Sequence, residues 1–239
     1  MLEPPVKRVV SYLSAARGRV TMGEGFLRGR EHLRRQRKQK GFSMIELVIV
    51  ASMIMIIGGL AIPSFMTMLR NFRIAGDASS LNGEILMAKM RAAARFTQTR
   101  INFDLATNQY RAEWWDKTPG SEQWRQESVG APGNLSRGVT FSFGGVGTDP
   151  NGNPTALSPA CMSGAAGAPG GGTPDTNSAC IIFNSRGIPI TPAGNPTAIH
   201  AVYITDGTAV FGVTLSATGL NRVWRTEATD ASGAYWYVR

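Results

Sequence analysis

The sequence predicts an α+β protein in which one long N-terminal transmembrane helix packs on a small antiparallel β domain. An uncharged apolar run extends from Leu47 to Leu69, which at ~1.5 Å per residue is enough helix to cross a bilayer. An amphipathic helical pattern follows this run. The remainder of the chain alternates apolar and polar residues between turn-forming segments, as antiparallel strands do.

The basic charge of the chain is concentrated ahead of the apolar run. The 239 residues carry a formal net charge of +9, of which residues 1–40 contribute +8 and the rest only +1. A basic flank before an apolar span stays on the cytoplasmic side of a membrane. We therefore expect a cytoplasmic N-terminus and an exported C-terminal domain. The near-neutral body argues against nucleic acid as the partner that the high isoelectric point first suggests.

The helical pattern predicts one helix from about Phe42 to about Phe96. We assign residues 42–69 to its membrane and assembly half and residues 70–98 to an amphipathic half that docks on the domain. Pro63 is expected to kink the helix or break it locally, because proline removes a backbone donor and crowds the preceding turn. The docking face of the second half is an apolar stripe at helical spacing, formed by Leu81, Ile85, Ala88, Ala92 and Phe96.

Residues 99–239 are predicted to form a periplasmic β domain. The strongest turn signal in it is Asp206-Gly207, which separates two apolar runs and predicts a hairpin. The predicted strands cover Ile101–Leu105, Tyr110–Trp115, Val139–Phe143, Ile181–Phe183, Ala201–Thr205, Thr208–Leu215, Asn221–Arg225 and Tyr235–Val238.

A low-complexity segment interrupts the predicted strands. Residues 144–178 are dominated by Gly, Pro, Ala, Asn and Thr, so we expect a surface-exposed or flexible loop over 144–180. The two cysteines, Cys161 and Cys180, enclose part of this loop. An exported pair around such a segment predicts a disulfide, which in the chain-entropy model contributes ~3 kcal/mol. Two free or buried thiols are the alternative.

A carboxylate at the head of the apolar run requires an explanation. Glu46 directly precedes Leu47, and an acidic side chain within hydrocarbon costs on the order of a few kcal/mol. A charged partner would offset this cost. We therefore expect Glu46 to have a function.

The residues around Glu46 resemble a known processing site. Lys40-Gly41-Phe42-Ser43-Met44-Ile45-Glu46, with Pro63 downstream, is similar to the N-terminus of type IV pilins and of the pseudopilins of type II secretion systems. The resemblance implies that residues 1–41 are a leader removed by prepilin peptidase between Gly41 and Phe42. It further implies that the new amino group of Phe42 is methylated. That amine would lie one helical turn from Glu46 and could pair with this residue in a neighbouring subunit.

The downstream sequence resembles the minor-pseudopilin branch often called GspH/FimT. The segments that carry this likeness are 182–187 (Ile-Phe-Asn-Ser-Arg-Gly) and 213–224. The resemblance implies a pilin-like fold, an inner-membrane location with a periplasmic domain, and later incorporation into a filament. The implied partners are other pilins or pseudopilins, prepilin peptidase and the inner-membrane assembly platform.

Two other membrane classes and a DNA-binding role were weighed against this interpretation. A secretory signal peptide or a plain single-pass anchor would explain the apolar run, but neither explains Gly41-Phe42 ahead of Glu46. FimT-like proteins that take up DNA have a C-terminal basic motif, for which Arg222 and Arg225 are the candidates. The first arginine expected after Gly219 is absent, because Leu220 and Asn221 occupy the intervening positions.

The sequence contains little that points to catalysis. It has two histidines, His32 and His200, and none of the common nucleophile, zinc or phosphate-loop motifs. We therefore expect no enzyme activity, no cofactor and no metal. Asp104 and Glu113 are interpreted as solvated strand positions, and most of the tryptophans as core residues.

Overall fold

The computed structural model describes residues 41–127, 132–165, 167–228 and 235–239. The predicted leader therefore lies outside the described residues, apart from Gly41. The chain divides into two compact units, Met1–Ile49 and Val50–Arg239. The described part of the first unit is the start of the long helix, and the second contains the β domain.

One helix, α1, runs from Met44 to Arg95 and supplies a buried stripe to the core. Its last turn ends at Phe96, whose positive φ of 52° takes the chain out of the helix. The fully buried helix residues recur at spacings of three and four, which confirms the predicted docking face from Leu81 to Ala92 but not at Phe96, which is 78% exposed because the helix ends before it. The buried residues are Ile74, Ala78, Leu81, Ile85, Ala88 and Ala92.

In the part of the chain that the structure describes, thirteen strands, β1 to β13, form two antiparallel sheets and a small hairpin. They are β1 Thr99–Asp104, β2 Gln109–Asp116, β3 Gln123–Gln126, β4 Gly133–Asn134, β5 Thr140–Phe141, β6 Cys161–Met162, β7 Pro174–Asp175, β8 Ser178–Phe183, β9 Pro189–Ile190, β10 Ala201–Thr205, β11 Ala209–Leu215, β12 Asn221–Glu227 and β13 Tyr237–Val238. The first sheet has the order β3-β2-β1-β8-β9, with β4 also on β2. The second has the order β13-β12-β11-β10-β5, and β6 pairs with β7. The predicted α+β class, one long apolar helix with antiparallel sheets in a pilin-like arrangement, is confirmed.

Both sheets turn one face toward the helix stripe. Ile101 and Phe183 of the first sheet and Ile204 and Val213 of the second lie in the same buried cluster as the stripe. This common core buries the helix-facing side chains of β1 and β8, such as Ile101 and Phe183. Both sheets therefore pack against the same side of the helix.

The Asp206-Gly207 hairpin forms as the sequence predicts. Thr205 pairs with Val210 across the turn, and Gly207 has a φ of 85°, a conformation that favours glycine. The Oδ1 atom of Asp206 accepts hydrogen bonds from the backbone N–H groups of Thr208 and Ala209. A side-chain acceptor at this position holds the turn closed.

The low-complexity segment differs from the expected exposed loop. Val146 is buried against the face of the second sheet that points away from the helix, in a cluster with Tyr203 and Val210. Cys161 is buried on the corresponding face of the first sheet, in a cluster with Ile182. The expectation of an exposed loop is therefore wrong at these residues. Within the low-complexity segment, Val146 covers the second sheet and Cys161 covers the first.

Glu113 also differs from its prediction as a solvated strand position. It is only 7% exposed, and its carboxylate accepts hydrogen bonds from Arg100 Nε at 2.6 Å and Arg111 Nε at 2.7 Å. Arg100 lies over the Trp124 ring and donates to the carbonyl of Met162. Burial lowers the pKa of Arg100 from its usual range, and Glu113 opposes this effect. The sequence prediction failed because the alternation of β2 does not reveal that the β6–β7 segment covers its outer face.

Replacing Glu113 with glutamine should destabilise the domain strongly. Glu113→Gln leaves the buried Arg100 guanidinium without its counter-charge, and breaking such a pair by removing one partner costs about 3–5 kcal/mol. Urea unfolding of the detergent-solubilised chain, followed by tryptophan fluorescence, measures the loss. Glu227→Gln, at an exposed position of β12, is the matched control. Equal transition midpoints for the two variants would contradict this prediction.

We expect His200 to make the stability of the domain dependent on pH. It is buried, its Nε2 lies 2.8 Å from the Ile190 carbonyl, and its Nδ1 has no partner among the described residues. Burial lowers the pKa of this imidazole below its ordinary value of 6.5. As the pH falls below ~6.5, the unfolded chain binds a proton that the folded chain does not, so the free energy of unfolding decreases. The slope reaches at most about 1.4 kcal/mol per pH unit.

Denaturation between pH 7.5 and 5.5 tests this expectation. The decrease should be present in the wild-type chain and reduced in His200→Gln, which removes the titrating ring. The pH interval stays above the range in which ordinary carboxylates begin to titrate. An unchanged slope in His200→Gln would assign the pH dependence to another group.

Candidate functional site

The start of the long helix is the candidate site, and Gly41, Phe42 and Ser43 precede it in a non-helical conformation. Phe42 is 84% exposed. A Cβ atom built on Gly41 would meet no atom within 4 Å, so the fold itself does not require glycine there. A protease cleft needs an accessible backbone that is not held in a helix. The arrangement thus leaves the predicted Gly41–Phe42 bond open to an enzyme.

Glu46 lies in the first turn of α1. The helix begins after Ser43, whose carbonyl accepts the hydrogen bond of the Leu47 N–H at 3.2 Å. Ser43 and Glu46 have the Ser-x-x-Glu spacing of a capping box, and a carboxylate near a helix N-terminus is favourable. This capping-box spacing was not considered in the sequence-based prediction, and it gives Glu46 a candidate second role that can be read from the sequence alone. Any test of Glu46 must therefore separate its charge from its capping ability.

The helix beyond Glu46 presents apolar side chains to its surroundings. It is long and apolar enough to cross a membrane, and none of its most apolar stretch is buried within the protein. Contiguous exposed apolar surface on this scale indicates contact with lipid or with another protein. Exposed large side chains include Ile45, Leu47, Val48, Ile49, Val50, Met53, Ile54, Met55, Ile56, Ile57, Leu60, Ile62, Phe65, Met66 and Met68.

Of the kink or local break expected at Pro63, the break is not present, because α1 continues through this residue. Proline cannot donate the backbone hydrogen bond to Gly59 four residues earlier. Nearby side chains add bonds to the same stretch. Ser64 Oγ donates to the Leu60 carbonyl at 3.5 Å, and Thr67 Oγ1 donates to the Pro63 carbonyl at 3.2 Å. One lost backbone bond is thus tolerated within a helix that is bonded on both sides.

Residues 36–62 match the family model described as the prokaryotic N-terminal methylation motif. The motif and the apolar N-terminal helix together fit a type IV pilin-like protein. The matched range contains Gly41, Phe42 and Glu46, and it ends directly before Pro63. A single apolar helix in this position indicates membrane anchoring. Comparison with curated proteins and with solved structures gave no match.

The cysteines are joined by a disulfide bond between β6 and β8, with their Cα atoms 4.9 Å apart. Both are buried in the cluster that also contains Ile182 and Ile190. The bond attaches the β6–β7 hairpin to the outer face of the first sheet. The Cys161 N–H reinforces this attachment by donating to Ser178 Oγ at 3.0 Å.

Two glycine turns in the segments that resemble GspH/FimT proteins meet at one helix residue. Gly187 and Gly219 both have positive φ, 73° and 75°. A Cβ atom on Gly187 would lie 2.9 Å from Lys89 Cγ, and one on Gly219 would lie 3.0 Å from the Gly187 carbonyl oxygen. Lys89 Nζ donates to the Gly219 carbonyl at 2.9 Å. These turns are therefore a structural junction between both sheets and the helix.

Arg222 and Arg225 lie on opposite faces of β12, because their spacing is odd and strand side chains alternate. Arg222 is exposed, on the same face as Trp224. Arg225 is half-buried and shares its face with Val223, which packs against the common core. The strand does not bring the two guanidinium groups together on one surface that a nucleic acid backbone could contact.

The described residues contain no group of three or more His, Cys, Asp or Glu side chains that could hold a metal ion. Pilin-like proteins of this kind are structural. The chemically distinctive part of the described chain is the segment that begins at Gly41.

Proposed function

We propose that this chain is a minor pilin or pseudopilin, a structural subunit of a type II secretion pseudopilus or a type IV pilus. The observation that carries the proposal is the methylation motif, which surrounds an exposed Gly41–Phe42 bond one helical turn ahead of Glu46. The precursor inserts in the inner membrane with its basic leader in the cytoplasm and the β domain in the periplasm. Prepilin peptidase cuts it, and the assembly platform moves the subunit into a filament.

The assembly step rests on a charge pair between subunits. Cleavage creates an ammonium group on Phe42, and Glu46 of a neighbouring subunit accepts it. Pairing offsets the cost of both charges in an apolar environment and fixes the helix register, since other offsets leave the carboxylate unpaired. The exposed apolar residues of the helix then exchange lipid contacts for contacts with other helices.

The β domain supplies partner specificity in this proposal, and a position at the filament tip suits its size. The alternative, a FimT-like receptor for DNA uptake, receives little support from the described residues. Its two candidate arginines, Arg222 and Arg225, face opposite ways on β12. The sequence after the leader carries a net charge near neutrality, which provides little non-specific attraction for a polyanion.

Mass spectrometry of the chain isolated from cells tests the processing step. The expected mature polypeptide begins at Phe42 and carries one additional methyl group. In a Gly41→Val variant a branched side chain stands at the scissile position, and we expect the precursor to accumulate several-fold. Gly76→Val, at another helix-region glycine without neighbours around its Cβ position, is the control for general effects on expression. An intact leader, or a terminus at Ile62 produced by signal peptidase, would contradict the proposal.

A glutamine substitution separates the charge of Glu46 from its capping role. Glutamine also serves at the third position of a capping box, so Glu46→Gln keeps the helix start but removes the carboxylate. We expect both Glu46→Gln and Glu46→Leu to be processed normally and to enter filaments at least about tenfold less than wild type, given the cost of an unpaired buried charge. Immunoblots of sheared filaments against cell-bound protein measure this ratio.

Glu84→Gln provides the matched control, since it removes a carboxylate from the same helix in its domain-proximal half. Among the described residues, the Glu84 carboxylate makes no salt bridge other than a long contact of 3.9 Å with Arg91. Its incorporation should equal that of the wild-type chain. Wild-type levels of Glu46→Leu in filaments would refute the charge-pair hypothesis, and a defect confined to the leucine variant would indicate that capping alone matters.

A further inference from the structure

Three arginines line one groove at the point where the apolar helix meets the β domain. Arg70 and Arg73 come from α1, and Arg137 comes from the loop before β5. The groove has a volume of about 470 Å³, and among the described residues Gly138, Val139 and Asp206 also line it. We call these three side chains the arginine groove.

The groove is assembled by contacts between distant parts of the chain. Arg70 and Arg73 are three residues apart, a spacing that places both on one side of a helix. The neighbouring residue of Arg137 is anchored to the same helix. Ser136 donates to Asp77 through its backbone N–H and through its Oγ, each at 2.9 Å. These two bonds hold Arg137 close to α1, although Ser136 and Asp77 are 59 positions apart in the sequence.

The charge in the groove is not balanced within the described part of the chain. None of the three arginines makes a salt bridge or a side-chain hydrogen bond among the described residues. The one carboxylate in the lining, Asp206, uses its Oδ1 for the hairpin turn, and its Oδ2 has no hydrogen-bond partner there. The described lining residues therefore have a formal charge of +2. Clustered like charges repel, and an anion bound between them relieves the repulsion.

The position of the groove along the helix indicates which anion this is. Arg70 is the first charged residue after the uncharged run 47–69, which spans ~35 Å as a helix against ~30 Å of bilayer hydrocarbon. Arg70 and Arg73 thus lie at the level of lipid headgroups, where arginine side chains extend toward phosphate. Guanidinium groups bind phosphate oxygens through paired hydrogen bonds.

We propose that the arginine groove binds the phosphate of an anionic phospholipid headgroup and holds the domain against the membrane before assembly. This site rests on the membrane-inserted state of the proposed function. Transfer of the subunit to a filament then requires the release of this lipid, so the groove adds a membrane-retention step that the apolar helix alone does not provide.

Native mass spectrometry of the full chain in detergent, titrated with phosphatidylglycerol or phosphatidylcholine, tests the proposal. The test variant is Arg73→Gln/Arg137→Gln, which keeps Arg70 at the end of the span. The control is Arg186→Gln/Arg222→Gln, which removes the same charge at exposed positions of the β domain. All versions share the basic leader, so its contribution cancels. Each basic residue contributes a factor of about five to the affinity for an anionic lipid. The test variant should therefore bind phosphatidylglycerol ~20-fold more weakly than wild type, and the affinity of the control should be unchanged.

Three results would overturn the lipid assignment. Equal lipid affinity of the test and control variants would show that the groove is not the site. If millimolar inorganic phosphate displaces bound phosphatidylglycerol as effectively as added phosphatidylglycerol does, the groove is a site for free anions. Loss of duplex-DNA binding in the test variant, without loss of lipid binding, would assign the groove to nucleic acid. A chain that is processed and membrane-inserted but has no lipid preference refutes this site alone, whereas failure to insert refutes the proposed function.

Discussion

The apolar surface of the helix from residue 44 to residue 69 is the constraint on which the other features depend. Its large side chains are exposed, so water is an unfavourable environment for them, and lipid or other helices must cover them. A subunit that moves from membrane to filament exchanges one such cover for the other. Because lipid and neighbouring helices are both apolar, contact with either one does little to fix the position of the subunit. Polar groups at the ends of the run have to fix that position.

Two such groups lie at opposite ends of the uncharged run. Glu46 precedes it, in the first helical turn, and the arginine groove follows it. In our proposals the carboxylate selects a neighbouring subunit and the arginines select a lipid phosphate. Both use the same physics: a charge at an apolar boundary is tolerated when a specific partner neutralises it. The two sites would then act at different stages of the life of the subunit.

The β domain has one core shared by both sheets and two small clusters on their outer faces. One helix stripe packs against both sheets, and the Gly-rich segment covers parts of their outer faces with a few apolar residues and a disulfide. Its Met162 carbonyl also accepts a hydrogen bond from Arg100 of the buried Arg100–Glu113 pair. Such a segment has little capacity to bury apolar area, so a cross-link compensates for it. This explains why a region of low complexity nevertheless contains residues as buried as Val146 and Cys161.

Local patterns in the sequence determined the elements and the N-terminal motif. Helical spacing revealed the stripe from Leu81 to Ala92, and Asp206-Gly207 located the hairpin, because both depend on residues close together in the chain. The alternation of side chains along a strand likewise separates Arg222 from Arg225. Tertiary structure alone decided the burial of Glu113, the covering role of Val146 and Cys161 in the Gly-rich segment, and the meeting of Arg137 with Arg70 and Arg73. Each of these depends on which distant segment packs against a given face, and pairing over 50 or more residues leaves no periodic signal in the sequence.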